Sequence, residues 1–229
     1  QPRSTLFPNT TLSRSLIEDI NVWETQMFTV QNPLHSTIRA PLLKLIYRLR
    51  DNQQQAIESE VAPTAKHALY ESTLDLLEHP DPVISELREF IEEMLITVAS
   101  AVNEPFWPEG AQARADIIES WFHVTENGGY HDTHSHPNCS WCGIYYVDTG
   151  ECDIQNRNGI NRFYDPRHGA DQYLDAGTAY LNSTGSWDFA AVEGQVVIFP
   201  SYLKHAAMPY FGQKDRVVIA FNSQIHFQE

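Results

Sequence analysis

The sequence predicts an α+β protein: a sandwich or jelly roll of short strands with N-terminal supporting helices. Two observations carry this. Residues from about 35 to 105 hold apolar side chains at three- and four-residue spacing, the helical period. From about 115 to 229, short apolar or alternating runs are separated by glycines, the pattern of short strands joined by turns. Helices laid on one face of such a sheet give a single domain over 1–229, with strands and supporting helices in 1–110 and the strand-rich core in 115–229.

Taken in order, Leu16 to Val30 alternates loosely and reads as one or two strands. A helix is expected from Pro41 through Leu42, Leu45, Ile46 and Leu49, and another after Pro63 and Thr64 through Leu69, Leu74 and Leu77. The run His79-Pro80-Asp81-Pro82 stops the latter, because a residue before proline disfavours the helical conformation. The clearest helix begins at Pro82 behind an Asp81 cap and runs to about Val102, with Ile84, Leu87, Ile91, Met94, Leu95 and Val98 in one stripe. Strands are expected at Ile117–Val124, Trp141–Val147, Thr178–Leu181, Gln195–Phe199 and Arg216–Phe221.

Charge narrows the partners. Thirty acidic residues against fifteen basic ones give a formal net charge of −15, which repels nucleic acid and anionic membranes. No apolar run reaches the roughly 18 residues that a membrane span needs. Three cysteines are an odd number and too few for a disulfide framework. The expectation is a cytoplasmic protein with a small-molecule substrate, neither nucleic acid nor membrane as partner, and an oligomeric state, homo-oligomer included, left open.

Chemistry concentrates in the histidines. Three lie within Tyr130-His131-Asp132-Thr133-His134-Ser135-His136-Pro137, and His205 follows the strand that ends near Phe199. Residues two apart on a strand share a side, so His134 and His136 are placed to aim at one point, with His205 as a third ligand from a distant strand. Imidazole suits iron, zinc, copper and nickel alike. Clustered surface histidines are the competing reading. Arg216 stands 216 − 205 = 11 positions further on. A turn through Pro209, Gly212 and Asp215 is expected to fold its strand back beside the His205 segment. The guanidinium would then lie near the metal, where it can clamp a carboxylate. An exposed arginine paired with Asp215 or Glu193 is the alternative.

These stretches resemble the iron(II)/2-oxoglutarate-dependent oxygenases, in the branch with a His-x-His element. The likeness rests on Ser120-Trp121, Gly129-Tyr130, His134-Ser135-His136-Pro137, Gly143-Ile144-Tyr145-Tyr146-Val147, Tyr164-Asp165-Pro166-Arg167, Phe199-Pro200-Ser201 with His205, and Arg216 with Phe221-Asn222. They occur in the family's order over about 100 residues. The resemblance implies a double-stranded β-helix (jelly roll, cupin-like) as the core over 115–229, with Fe(II), 2-oxoglutarate as cosubstrate, and O2. The implied reaction hydroxylates a small molecule or side chain and forms succinate and CO2. It implies iron ligation by His134 and His205, with Arg216 on the distal carboxylate of 2-oxoglutarate and Tyr146 facing the same pocket. Alternation from Arg216 adds Val218, Ala220 and Asn222 to the pocket side. Trp121 is a candidate for the pocket wall, although core packing is its commoner use, and Arg167 is a candidate contact for an anionic substrate.

The sequence departs from that pattern in two places. Most such oxygenases have His-x-Asp or His-x-Glu, whereas the second position here is His136. Either His136 completes the metal site, leaving it one charge unit more positive, or Asp132 supplies the carboxylate. Val218 stands where many relatives carry Ser or Thr, so a hydrogen bond to the cosubstrate is missing or comes from Tyr146 or Ser201. Two rivals stay open: a three-histidine jelly-roll dioxygenase or hydrolase that does not use 2-oxoglutarate, and a non-catalytic binding domain. Cys139-Ser140-Trp141-Cys142 is a lone C-x-x-C, read first as buried small side chains.

Overall fold

A computed structural model describes residues 24–53, 65–169, 175–181 and 184–228. Its elements in order are β1 (Phe28–Gln31), α1 (His35–Gln53), β2 (Lys66–Glu71), α2 (Pro82–Asn103), β3 (Ala113–His134), β4 (Trp141–Asp148), β5 (Asn161–Tyr164), β6 (Ser186–Phe189), β7 (Gln195–Pro200), β8 (His205–Tyr210) and β9 (Arg216–Phe227). The strands form one antiparallel sheet in the order β1-β7-β4-β9-β3-β8-β5-β6, with β2 also on β3.

The two faces separate by strand alternation. On one face Phe122, Tyr145, Val147, Ile198, Val217 and Ile219 pack under the helices. On the other, Cys142, Ile144, Tyr146, Val197, Phe199 and Val218 form a second apolar cluster. The helix layer is held by α2. Asp81 caps it by accepting from the Val83 N–H, and Ile84, Leu87, Ile91 and Leu95 are fully buried. Each such side chain contributes about 1.5–3 kcal/mol of burial, so the stripe clamps α2 to the sheet.

β3 is the organising strand. Its first part pairs with β9 up to Thr125↔Arg216, and its last part pairs with β8 from Gly129↔Tyr210 to His134↔His205. The change of partner falls at Gly128-Gly129. Gly128 has φ +83°, and a Cβ on Gly129 would lie 2.4 Å from the Ala68 carbonyl oxygen. Only glycine allows that backbone to pass so closely.

Several sequence expectations are corrected. α1 begins at His35 rather than Pro41; Pro41 sits inside the helix, held there by the packing of Ile38, Leu42, Leu45 and Ile46. The helix expected after Pro63 is instead β2 followed by a 3-10 turn at Leu76–Glu78; residues 61–64 lie outside the described ones. There, Leu69 and Tyr70 pair with Thr125 and Val124, so strand pairing overrides the leucine spacing. Thr178–Leu181 is no strand but a turn with 3-10 geometry at Ala179–Leu181. Of the strand expected in Leu16–Val30, β1 covers the end, and residues 16–23 lie outside the described ones. β5 and β6 are four residues long and half polar, and β8 contains Pro209, so none of the three is read from hydropathy. β5 and β6 are stitched instead by a two-pronged pair, Arg162 Nε and Nη2 to Asp188 at 2.6 and 2.9 Å.

Candidate metal centre

Strand pairing sets His134, the last residue of β3, opposite His205, the first of β8. His136 lies two residues beyond the strand, fixed by its backbone N–H donating to Ser201 O at 3.1 Å. The ring centroids lie 4.3 Å (His134–His205), 5.0 Å (His134–His136) and 5.2 Å (His136–His205) apart. One nitrogen from each ring falls within 4.8 Å of the others.

The rings are oriented from behind. His134 Nδ1 is 2.8 Å from Asp132 O, and His205 Nδ1 is 3.0 Å from Leu203 O. A carbonyl only accepts, so each Nδ1 carries the proton and each Nε2 presents a lone pair, the arrangement that outer-sphere partners impose on metal-binding histidines. Burial favours the neutral rings. It lowers His205 to about 3 and His136 to about 4, with the His134 ring adding to both, and it lowers His134 against the opposing pull of the Asp132 carbonyl. Three neutral imidazoles converging on one point fit a divalent transition metal.

Asp132 does not join them. Its side chain is exposed, and its Oδ1 accepts from the Thr133 N–H at 2.7 Å. Among the described residues the cluster consists of His134, His136 and His205 alone.

Arg216 opens β9 and is 2 % exposed. Its strand does not lie beside β8, as the turn through Pro209 and Gly212 suggested; β9 sits between β4 and β3, with β3 separating it from β8. The guanidinium nevertheless lines the same pocket as the three histidines. Its Nη2 donates to Asn161 Oδ1 at 2.7 Å, its Nε has no hydrogen-bond partner, and no carboxylate lies within 4.0 Å among the described residues. A buried guanidinium without a counter-anion is costly unless a ligand supplies one.

The remaining candidates divide. Trp121 is both buried and on the pocket wall; its indole N–H donates to His123 Nε2 at 3.0 Å. Val218 and Ala220 line the pocket as alternation requires. Tyr146 sits behind the wall, where its hydroxyl donates to Asn161 Oδ1 at 2.8 Å and burial pushes its pKa up. The residue reaching the pocket there is Asn161, whose one oxygen receives both Tyr146 and Arg216. Asn222 lies farther along β9, outside the pocket lining, and donates to Glu119 Oε2 at 2.7 Å. Ser201 Oγ donates to Cys139 O at 2.7 Å and is likewise outside the lining. Arg167 is held by both oxygens of Asp165 and by Leu181 O, away from the pocket.

Sequence reasoning counted His131 in the cluster without giving it a role, and passed over His123. His131 stacks on His134 at 4.0 Å, and His123 stands edge-on to His131 at 5.7 Å. Behind them His123 Nε2 is 2.7 Å from Glu71 Oε2, and Lys66 Nζ is 2.6 Å from Glu71 Oε1. Burial raises the Glu71 pKa, but the His123 and Lys66 contacts outweigh it and hold the carboxyl at about 2. The available signal was the even spacing 121, 123, 131 on one strand, broken by the glycine bend.

Residues 119–222, which contain every one of the clustered histidines and Arg216, match the family model described as "Putative 2OG-Fe(II) oxygenase". Over this stretch, a little under half of the chain, the sequence is similar to 2OG-Fe(II) oxygenases. Solved structures with similar folds extend the likeness beyond it. A Pseudomonas putida prolyl-4-hydroxylase is 14 % identical with TM-score 0.56, over 87 % of this chain and 93 % of its own. HygX from Streptomyces hygroscopicus, solved with nickel, 2-oxoglutarate and hygromycin B, is 15 % identical with TM-score 0.57, over 87 % and 83 %. A Trichoplax adhaerens prolyl hydroxylase in complex with a hypoxia inducible factor peptide fragment is 12 % identical with TM-score 0.57, over 86 % and 83 %. At these identities the likeness is one of fold, and it makes the curled sheet a jelly roll. A search of curated protein sequences finds no match. No helix among the described residues is long and apolar enough to cross a membrane.

Proposed function

We propose that His134, His136 and His205 hold iron(II), and that Arg216 receives the distal carboxylate of 2-oxoglutarate in an oxygenase that hydroxylates a small molecule or a peptide side chain. The observation that carries this reading is the state of Arg216: a buried cation with a free Nε, facing the histidine cluster without a carboxylate of its own. Iron(II) in that position supplies the activation of dioxygen that turns 2-oxoglutarate into succinate and CO2 while oxygen is inserted into a C–H bond.

The chain's own residues perform the rest. Asn161 holds the guanidinium through Nη2 and leaves Nε free for an incoming oxygen. Tyr146 braces Asn161 from behind. Val218, Ala220 and Phe199 keep the walls apolar, which excludes water and strengthens the ion pair. Both classes of molecule are held by proteins of similar fold, hygromycin B bound in HygX and a peptide fragment in complex with the Trichoplax hydroxylase.

Anaerobic titration with iron(II) and 2-oxoglutarate tests the proposal. A visible metal-to-ligand charge-transfer band is expected, with succinate formed once air is admitted. Metal binding with neither band nor succinate supports the alternative, a three-histidine dioxygenase or hydrolase independent of 2-oxoglutarate. The donor set without a carboxylate favours that alternative.

A further inference from the structure

We propose that Cys139 and Cys142 form a redox-active dithiol that closes reversibly to a disulfide on the wall of the histidine pocket. Their sulfurs lie 3.5 Å apart in the thiol state. A disulfide needs about 2.05 Å, so closure asks for a shift of roughly 1.5 Å, within the reach of a loop. Cys142 is fixed in β4, which begins at Trp141, so the movement falls to Cys139, which precedes the strand in turn backbone where Asn138 takes a left-handed φ of +67° and Ser140 is exposed.

The two sulfurs have different surroundings. Cys139 is half-buried and meets solvent; Cys142 is buried on β4 with its side chain on the pocket wall. That is the division between an attacking and a resolving thiol. With a low-molecular-weight disulfide as oxidant, Cys139 sulfur attacks one of its sulfurs and releases one thiol. Cys142 sulfur then attacks Cys139 in the mixed disulfide and releases the second. Two protons pass from the cysteines to the leaving thiols, and two electrons pass from the cysteines to the reagent. The third cysteine, Cys152, donates to Gly159 O at 3.2 Å on another loop and serves as the internal control.

Closure reaches the metal centre through the backbone. Cys139 Sγ–H donates to the carbonyl oxygen of His136 at 3.7 Å, and the bond is lost when the sulfur gives up its hydrogen. Ser201 ties the same loop at two points, accepting from the His136 N–H and donating to Cys139 O, so a pull on Cys139 is passed to His136. This coupling rests on the three-histidine reading above; the dithiol chemistry does not.

The test treats the whole 229-residue chain, metal-free, with oxidised glutathione, alkylates it, and maps the peptides by mass. The expected result is loss of two hydrogens from the peptide holding Cys139 and Cys142, alkylated Cys152, and full reversal by dithiothreitol. In Cys142→Ser the mixed disulfide should persist on Cys139. Both thiols alkylated after oxidation, or a lasting glutathione adduct on wild-type Cys139, overturns the proposal; the wild-type map decides even if the variant does not fold. Cobalt(II) titration of reduced and oxidised protein reads the coupling, with affinity expected to fall roughly tenfold on oxidation. Equal affinities overturn the coupling. Reduced protein that takes no cobalt(II) sinks the three-histidine reading and the coupling together, while the disulfide result stands.

Discussion

Replacing Arg216 with methionine should act in opposite directions on ligand binding and on stability. Arg216 is the only Arg or Lys lining the pocket among the described residues, so its loss leaves the distal carboxylate of 2-oxoglutarate without a counter-charge. Truncating one partner of a buried, hydrogen-bonded charge pair costs about 2–5 kcal/mol. At about 1.4 kcal/mol per tenfold, a mid-range loss of about 3 kcal/mol weakens binding roughly 100-fold or more. The fold loses little in exchange. The ligand-free guanidinium has one unpartnered nitrogen and no carboxylate, and the oxygen it abandons on Asn161 keeps the Tyr146 hydroxyl. Removing such a buried charge is commonly neutral or stabilising. Calorimetric titration of 2-oxoglutarate into iron(II)-loaded protein under anaerobic conditions measures the first effect, and thermal unfolding of the metal-free protein measures the second. If the variant binds 2-oxoglutarate within about threefold of wild type, at matched metal loading, the assignment of the guanidinium as the diacid anchor is wrong.

Other outcomes follow from the same geometry. His205→Ala and His136→Ala should each lower cobalt(II) affinity by at least about tenfold, whereas Asp132→Ala, whose side chain lies outside the cluster, should leave it within about twofold; metal titration followed by visible absorption distinguishes them. In metal-free protein the folded pKa values of His136 (about 4) and His205 (about 3) lie below the ordinary 6.5. On acidification the unfolded chain therefore binds protons that the folded chain refuses. The associated stability is complete above about pH 6.5 and drains away as pH falls toward 4 and 3; thermal midpoints should drop across that window, and His136→Gln should flatten the slope. Gly143→Ala would set a Cβ 2.1 Å from the Phe221 ring and should destabilise by about 1–3 kcal/mol in chemical denaturation, reading out how tightly the pocket floor is packed.

The sequence was most legible where a local rule and the tertiary structure agree. Asp81, Pro82 and the stripe from Ile84 to Val98 mark α2 because cap, proline and period all point to one helix. The leucines at 69, 74 and 77 mislead because β2 is an edge element whose conformation is set by pairing with β3, a contact far away in the chain. The histidines and Arg216 were readable as a set through residue type and order. How Arg216 reaches the pocket was not, since that depends on β3 lying between β8 and β9. Asn161 carried no signal at all: it lies on a four-residue strand, and its importance comes from one oxygen shared by two donors from β4 and β9.

The bend in β3 has a consequence for selectivity. One half of that strand carries the pairing partner of Arg216 and the other half carries His134, so the residues between Thr125 and Gly129 fix the span from guanidinium to metal. On the proposed reading this hinge of chain is a caliper for the length of the dicarboxylate. Inserting or deleting a residue there should retune the domain toward a longer or shorter keto diacid while leaving both grips intact.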